Sequence, residues 1–412
     1  MRLNTSKLFS GSFLIAATAT LLVACNKELP QAEPIVPPTP SGVSIAEAIN
    51  ADANLSILKA AVTRAGTSLT GLLSDKSGVY TFFAPTNSAF QAIGITNEAA
   101  VAAFRPGQLD TILKYHLIGG QELTAASIST GFPNVQEPSS FVLAPPSASL
   151  PPGLRMPLFP SKRGSSLWLN NIPVTQTDID AANGVIHKIA VVALPPSQYL
   201  WNRIDTAADL TYLKAAIQRA DSGSTAATSL MGVLLNPAAN LTVFAPTNTA
   251  FQQILTAQVT QALIPMVTQQ LIAGGTPPDQ AAAQAPALAQ AQATTIASTP
   301  DVFQNPALFS VLTAETVKGI VVYHLLGARA YSVNLPTTAT NTPTLLNSAI
   351  PAHPGVTVQA TFGATGVTAA AVKGAANATA SNILINPLPG GTSDQNYING
   401  VLHKIDQVLR PQ

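Results

Sequence analysis

The chain reads as an α+β protein built from two tandem copies of one fold. Three observations predict this. A strand-and-corner phrase, "TFFAPTNSAF" from Thr81, returns as "TVFAPTNTAF" from Thr242. A Tyr-His pair, Tyr115-His116 in "ILKYHLIGG", is answered by Tyr323-His324 in "IVVYHLLGA". A third phrase, "NGVIHKI" from Asn183, is answered by "NGVLHKI" from Asn399. Three phrases in one order, twice, are the mark of a repeat architecture.

The elements follow in chain order. Arg2 and Lys7 precede the apolar stretch "LFSGSFLIAATATLLVA", which ends in "LVAC" at Cys25. A basic start, an apolar run of signal length and small residues before a cysteine predict a lipoprotein signal peptide over 1–24, with Cys25 as the lipidated residue. Cys25 is the only cysteine, so no internal disulfide can form and the folded part must rest on packed cores. The Pro-rich segment 25–42 reads as an extended tether. Asn26 after the cysteine resembles sorting signals for the outer membrane, with the face, periplasmic or surface-exposed, left open.

Two domains follow, 43–195 and 200–411. Each opens on an amphipathic helix, with Leu55, Leu58, Ala61 and Val62 sharing one face in the first. In "YTFFAPTN", alternating residues make a buried strand that Pro85 ends. Thr86 then caps a helix starting at Asn87, and Thr247 and Asn248 repeat the corner. The pairs Asn183-Gly184 and Asn399-Gly400 are turn signals, read as the loops of tight hairpins. Beyond them, strand alternation sets Val185, His187, Ile189 and Val191 on one side, as it does Val401, His403 and Ile405. His187 and His403 are then core residues that need a hydrogen-bond partner, expected in the Tyr-His segment or the Thr of the first phrase.

The copies differ most in length between the first two phrases. Pro85 and Tyr115 are 30 positions apart, whereas Pro246 and Tyr323 are 77 apart. The excess lies in an Ala/Gln-rich tract, about 257–305, read as a helical excursion interrupted by Pro and Gly, with a low-complexity loop as the alternative. As a surface insertion, deletion of about 270–300 is expected to spare the fold.

At these phrases the chain resembles the fasciclin domain family. "TFFAPTNSAF", "KYHLIGG" and "NGVIHKIAVVALPP" match that family's first conserved block, its Tyr-His motif and its terminal block, in both copies. The resemblance implies a β-wedge of about seven strands packed with helices, and extracellular or periplasmic adhesion and matrix roles. The chain departs from it where Asn87 and Asn248 stand for an acidic residue, and where Asp178-Ile179 becomes Asp394-Gln395 in the second copy.

Composition excludes more than it assigns. Charged residues are 9% of the chain and the net charge is +1, which leaves no basic footprint for nucleic acid. Of the five histidines, only His353 lies outside the repeated phrases, and no paired-His metal spacing or nucleophile elbow occurs. No catalytic, cofactor or metal residues are assigned, and Tyr115, His116 and His187 are read as buried wiring. The expected function is that of an envelope-anchored adhesion or matrix-interaction lipoprotein, held in the membrane through Cys25 and binding a protein or polysaccharide. The alternative is a glycan- or small-molecule-binding lipoprotein of an uptake system, with Trp168 or Trp201 exposed in its cleft.

Overall fold

The computed structural model describes residues 41–145, 153–226, 228–364 and 366–412. The signal segment, Cys25 and the tether up to residue 40 lie outside the described residues. Residues Pro40–Gln412 form one compact unit.

In the amino-terminal half, helices α1 (Ile45–Ala51), α2 (Ser56–Ala65) and α3 (Thr67–Ser74) lead into strand β1 (Tyr80–Pro85). Then come α4 (Asn87–Ala92), α5 (Pro106–Tyr115), β2 (Leu117–Gly119), β3 (Glu137–Ala144) and β4 (Leu154–Leu158). Strands β5 (Pro160–Arg163), β6 (Ser166–Leu169), β7 (Ile172–Ala181) and β8 (Gly184–Ile189) complete it. The carboxy-terminal half repeats the plan with α6 (Leu200–Thr206), α7 (Thr211–Ala220), α8 (Leu230–Leu235) and β9 (Leu241–Pro246). Helices α9 (Asn248–Ala273), α10 (Pro278–Ile296) and α11 (Ala314–Tyr323) follow, then β10 (Leu325–Leu326), β11 (Thr340–Thr342) and β12 (Val356–Gly363). The last strands are β13 (Gly366–Lys373), β14 (Ser381–Ile383), β15 (Gln395–Tyr397) and β16 (Gly400–Ile405).

Each half carries one sheet. The first runs β4-β3-β2-β1-β8-β7-β6-β5, and the second β10-β9-β16-β14-β13-β12-β11 with β15 paired to β16. The first and last phrases of each copy therefore pair inside a sheet, at its centre in the first half and next to the β10 edge in the second. β1 pairs with β8 in parallel from Tyr80–Gly184 to Pro85–Ile189, and β9 pairs with β16 in parallel from Leu241–Gly400 to Pro246–Ile405.

Period-two alternation on these paired strands feeds two cores per half. Phe82, Ala84 and Ile186 pack against the helices with Leu58, Phe90 and Leu113, while Phe83 and Ile189 point the other way onto Tyr115, Met156 and Leu169. In the second half Val243, Ala245 and Leu402 join the helices, and Phe244 and Ile405 pack on Val358 and Val372. Both faces of these strands are thus buried, and all six residues of β8 and of β16 are buried.

Two local expectations change. The hairpin loops are Ala182-Asn183 and Ile398-Asn399, because Gly184 and Gly400 already pair with Ala181 and Tyr397 as the first strand residues. Gly184 sits at φ 130° with a Cβ position 1.8 Å from the Tyr80 carbonyl oxygen, so only glycine lets the strands pair there. Strand β8 also stops at Ile189, which leaves Val191 outside it and 40% exposed rather than on the strand face.

The Ala/Gln tract is an antiparallel helix pair that joins the core. Leu255, Val259, Leu263 and Val267 of α9 recur every four residues, as do Ala281, Ala285, Ala289 and Ala293 of α10, and all are buried. Small residues on one ridge let the two helices approach closely. The helices run through Pro265 and Pro286, and the break falls instead at Gly274-Gly275. Ala285, Ala289 and Ala293 share one apolar cluster with Tyr212, Phe251 and Leu402, and the Tyr212 hydroxyl donates to the Ala297 carbonyl at 2.7 Å. The expectation that the tract can be deleted freely therefore changes. Removing 274–296 would join Ala273 to Ala297 across the length of α10, about 28 Å at ~1.5 Å per residue. Helix α9 must then unwind with it, and the loss of Val259, Leu263 and Val267 from the core is expected to cost on the order of 3 kcal/mol. Urea denaturation of the deletion variant checks this, and an unchanged midpoint would restore the free-insertion reading.

Candidate functional site

The repeated phrases build the same hydrogen-bond wiring twice. Thr86 Oγ accepts from the Ala89 amide and Thr247 Oγ from the Ala250 amide, both at 3.3 Å, capping α4 and α9. Asn87 and Asn248 reach across to another helix. Helix α2 has no side-chain cap of its own, and Asn87 Oδ1 accepts from the Ile57 amide at 3.0 Å while its Nδ2 donates to the Ala53 carbonyl at 2.9 Å. Asn248 does the same for α7, through the Tyr212 amide at 3.2 Å and the Ala208 carbonyl at 2.9 Å.

Asn183 and Asn399 tie the hairpin loops to the helices. Asn183 Oδ1 accepts from the Ile45 amide at 2.8 Å and its Nδ2 donates to the carbonyls of Leu73 and Asp75. Asn399 accepts from the Leu200 amide at 3.0 Å and donates to the Leu234 carbonyl at 2.8 Å. The lysine after each strand histidine is also buried and paired, Lys188 with Asp52 and Lys404 with Asp209.

The four histidines of the repeated phrases are bonded at both ring nitrogens. His116 Nδ1–H donates to the Ile112 carbonyl at 2.7 Å, and its Nε2 accepts from the Ala193 amide at 2.9 Å. His324 repeats this with the Ile320 carbonyl and the Leu409 amide, both at 2.8 Å. An acceptor and an amide donor at opposite ring nitrogens fix one neutral tautomer. Burial, opposed by the carbonyl bond, depresses both histidines to about 4.

His187 and His403 take the other tautomer. His187 Nε2–H donates to the Leu123 carbonyl at 2.7 Å and its Nδ1 accepts from the Asp178 amide at 3.3 Å. His403 uses the Ala330 carbonyl at 2.8 Å and the Asp394 amide at 3.2 Å. These partners lie in the loop after β2 or β10 and before the terminal strand, not in the Tyr-His pair or the capping threonine. Each ring also lies against the phenylalanine of the first phrase, Phe83 or Phe244. Burial lowers the His187 pKa.

Asp178 and Asp394 close the network. Both sit at positive φ, 57° and 54°, which turns each carboxylate onto a loop amide. Asp178 accepts from Ala125 at 2.7 Å and Asp394 from Ser332 at 2.6 Å. Thr81 and Thr242 hold the same loops from the sheet. Each hydroxyl donates to one carbonyl, Gln121 or Ala328, and accepts from the amide two residues on, Leu123 or Ala330. Tyr115, His116 and His187 share no hydrogen bond with one another. The Tyr115 hydroxyl donates to the Pro157 carbonyl at 3.3 Å, and the Tyr323 hydroxyl to that of Gly355 at 2.6 Å.

Superposing these bonds sets Glu122 opposite Arg329, a residue that the repeated phrases do not contain. Glu122 is exposed, whereas Arg329 is fully buried between the two halves. Its guanidinium donates to Asn240 Oδ1 at 3.0 Å, Asn396 Oδ1 at 2.6 Å and the Ile398 carbonyl at 2.7 Å, and lies 4.9 Å from the Phe159 ring centroid. It belongs to none of the ion pairs among the described residues. Around it, Phe159 and Trp168 of the first half pack with Tyr331, Val333 and Val401 of the second. Asn134 Oδ1 accepts from the Tyr331 amide at 3.0 Å, and Asn396 Nδ2 donates to the Tyr115 hydroxyl at 3.3 Å. The one signal in the sequence was the break in the repeat itself, "GARAYS" where the first copy has "GGQELTA". Trp201 is buried too, in the helical core of the second half, so neither tryptophan offers an exposed stacking face.

Two helix-backed sheets with one parallel strand pair in each, wired by one duplicated set of Thr, Asn, His and Asp side chains, define a tandem α+β fold. The fasciclin domain family model matches residues 53–195. Over 159 residues the chain is 36% identical to Protein sll1483 of Synechocystis sp., covering 38% of this chain and 77% of that protein. The chain belongs to the fasciclin domain family. It is also 33% identical over 171 residues to the transforming growth factor-beta-induced protein ig-h3 of Sus scrofa, a match spanning 42% of this chain and 22% of the pig protein. A solved domain pair from the insect cell adhesion molecule Fasciclin I aligns with 86% of this chain and 97% of its own at 15% identity, with a TM-score of 0.31. Fasciclin domains occur in adhesion and extracellular-matrix proteins and are typically extracellular and non-enzymatic. No helix among the described residues is long and apolar enough to cross a membrane.

Proposed function

We propose that the chain is an exported lipoprotein, anchored through Cys25 in the outer membrane, whose paired fasciclin domains bind a protein or polysaccharide of the envelope or matrix. The observation that carries this reading is the use of the motif side chains. In His116, His187, His324 and His403, both ring nitrogens are occupied by main-chain partners. The repeated polar residues thus serve the fold, and the role assigned to them includes no catalysis. Binding falls to the outer surface, which a net charge of +1 leaves close to neutral.

Such a surface recognises its partner by shape and neutral hydrogen bonds. Retention of the full chain on immobilised envelope polysaccharide or matrix protein is expected to change less than about twofold between about 0.05 and about 0.5 M salt, because screening acts on charges. A steep loss with salt would refute the neutral-surface reading. Cys25→Ser is expected to move the chain out of the lipid-anchored membrane fraction, since two or more acyl chains are needed for firm residence. Unchanged membrane partition of a processed Cys25→Ser chain would refute the anchor.

A further inference from the structure

The extra segment of the second copy changes one corner of the fold. In the first half, where α5 meets the segment after β8, Ile112, Leu194 and Pro195 line an open surface, and Leu194 is 54% exposed. The corresponding corner of the second half, α11 against the segment after β16, is roofed by the lengthened α9. A cavity of about 380 Å³ lies there among Phe251, Leu255, Phe303, Val317, Ile320 and Val408. A groove continues from it along α9 to Val311, and Arg410 borders both.

Well-packed interiors leave few voids larger than water. A concave, largely apolar space of a few hundred Å³ with a small number of polar groups is the usual form of a small-molecule site. This one is roughly two and a half times the ~150 Å³ of an apolar cavity that holds one benzene. Arg410 carries the only charged side chain lining either space, and the last residue, Gln412, whose main-chain carboxylate would compete for that guanidinium, lines the cavity as well. Arg410 is exposed, and it belongs to none of the ion pairs among the described residues. Its main chain is held on both sides, the amide by Asn377 Oδ1 at 2.7 Å and the carbonyl by the Ala376 amide at 3.0 Å. That fixes the main chain from which the Arg410 side chain springs beside the apolar cavity.

We propose that this cavity binds a single-chain anionic amphiphile of the fatty-acid class, with the alkyl chain among α9, α11 and Val408 and the carboxylate on Arg410. Apolar walls select the chain, and the planar guanidinium matches a carboxylate. The site is independent of the adhesive surface, so either reading can fail without the other.

Dodecanoate, below its micellar concentration, tests the proposal on the full chain carrying Cys25→Ser, which removes any covalent acyl competitor. Calorimetry is expected to show one saturable site per chain, with dodecan-1-ol binding about tenfold more weakly, a difference of ~1.4 kcal/mol. Arg410→Gln is expected to weaken dodecanoate about tenfold and leave dodecan-1-ol unchanged, on the same scale. Gly319 on α11 lines the cavity, and a Cβ there meets nothing within 4 Å, so Gly319→Phe is expected to fill the space and abolish both. Absence of saturable dodecanoate binding would overturn the proposal. So would equal affinity for acid and alcohol, or binding that survives Gly319→Phe in a folded chain.

Discussion

Arg329→Ala is expected to destabilise the chain by about 3–5 kcal/mol, because three buried neutral acceptors lose their donor at about 1–3 kcal/mol each. The loss has two parts. Asn240 Oδ1, Asn396 Oδ1 and the Ile398 carbonyl each lose a charge-assisted bond in a buried place. The space beside Phe159 also empties, at a point where both halves contribute the wall. Arg329→Lys is expected to recover little, because a compact ammonium cannot span three acceptors set for a planar fork. Glu122→Ala, at the matching exposed position of the first half, is expected to stay within about 0.5 kcal/mol of the parent. Denaturant midpoints of the three variants decide the matter. A loss under about 1 kcal/mol for Arg329→Ala would show that the interface closes without its cation.

Acid is expected to unfold the chain well above the carboxylate range. His116 and His324 are held near 4 when folded, while an unfolded histidine titrates near its ordinary value of 6.5. Between those values the unfolded chain binds protons that the folded chain does not, so stability falls as pH falls. At about 1.36 kcal/mol per pKa unit, each histidine contributes roughly 3 kcal/mol that is present above pH 6.5 and gone by about pH 4. His187 is lowered as well and adds to the same slope. Urea midpoints measured from pH 7 to pH 4 are expected to drop steeply, with proton uptake on unfolding at pH 5. A flat profile from pH 7 to pH 5 would refute this account.

The fold was readable because its two parallel strands were written out twice. Tyr80 to Pro85 and Gly184 to Ile189 pair with each other, so in the first half the repeated phrases mark the sheet centre, where packing on both faces leaves least freedom of sequence. The local cap of Thr86 follows from spacing alone, since its partner is three residues away. The partners of His187 were not readable. Leu123 offers only a carbonyl and Asp178 only an amide, and any residue carries those. A side chain bonded to main chain leaves no trace in its partner's identity. Arg329 escaped for the opposite reason, because its setting exists only once, where two unlike surfaces of the copies meet. The Ala/Gln tract announced helix but hid its packing, since alanine at every fourth position looks the same on a free helix as on a buried one.

The parallel pairing of β1 with β8, and of β9 with β16, has a mechanical consequence. In each half, the chain enters the sheet at one end of the first strand and leaves it from the opposite end of the last. Tension along the chain therefore drags the two strands past each other in shear, rather than peeling them apart one bond at a time. All six residue pairs from Tyr80–Gly184 to Pro85–Ile189 take the strain together. Rupture under force is governed by the unfolding barrier rather than by equilibrium stability. A protein pulled between a membrane and an outside partner would resist in series, with one such clamp in each domain.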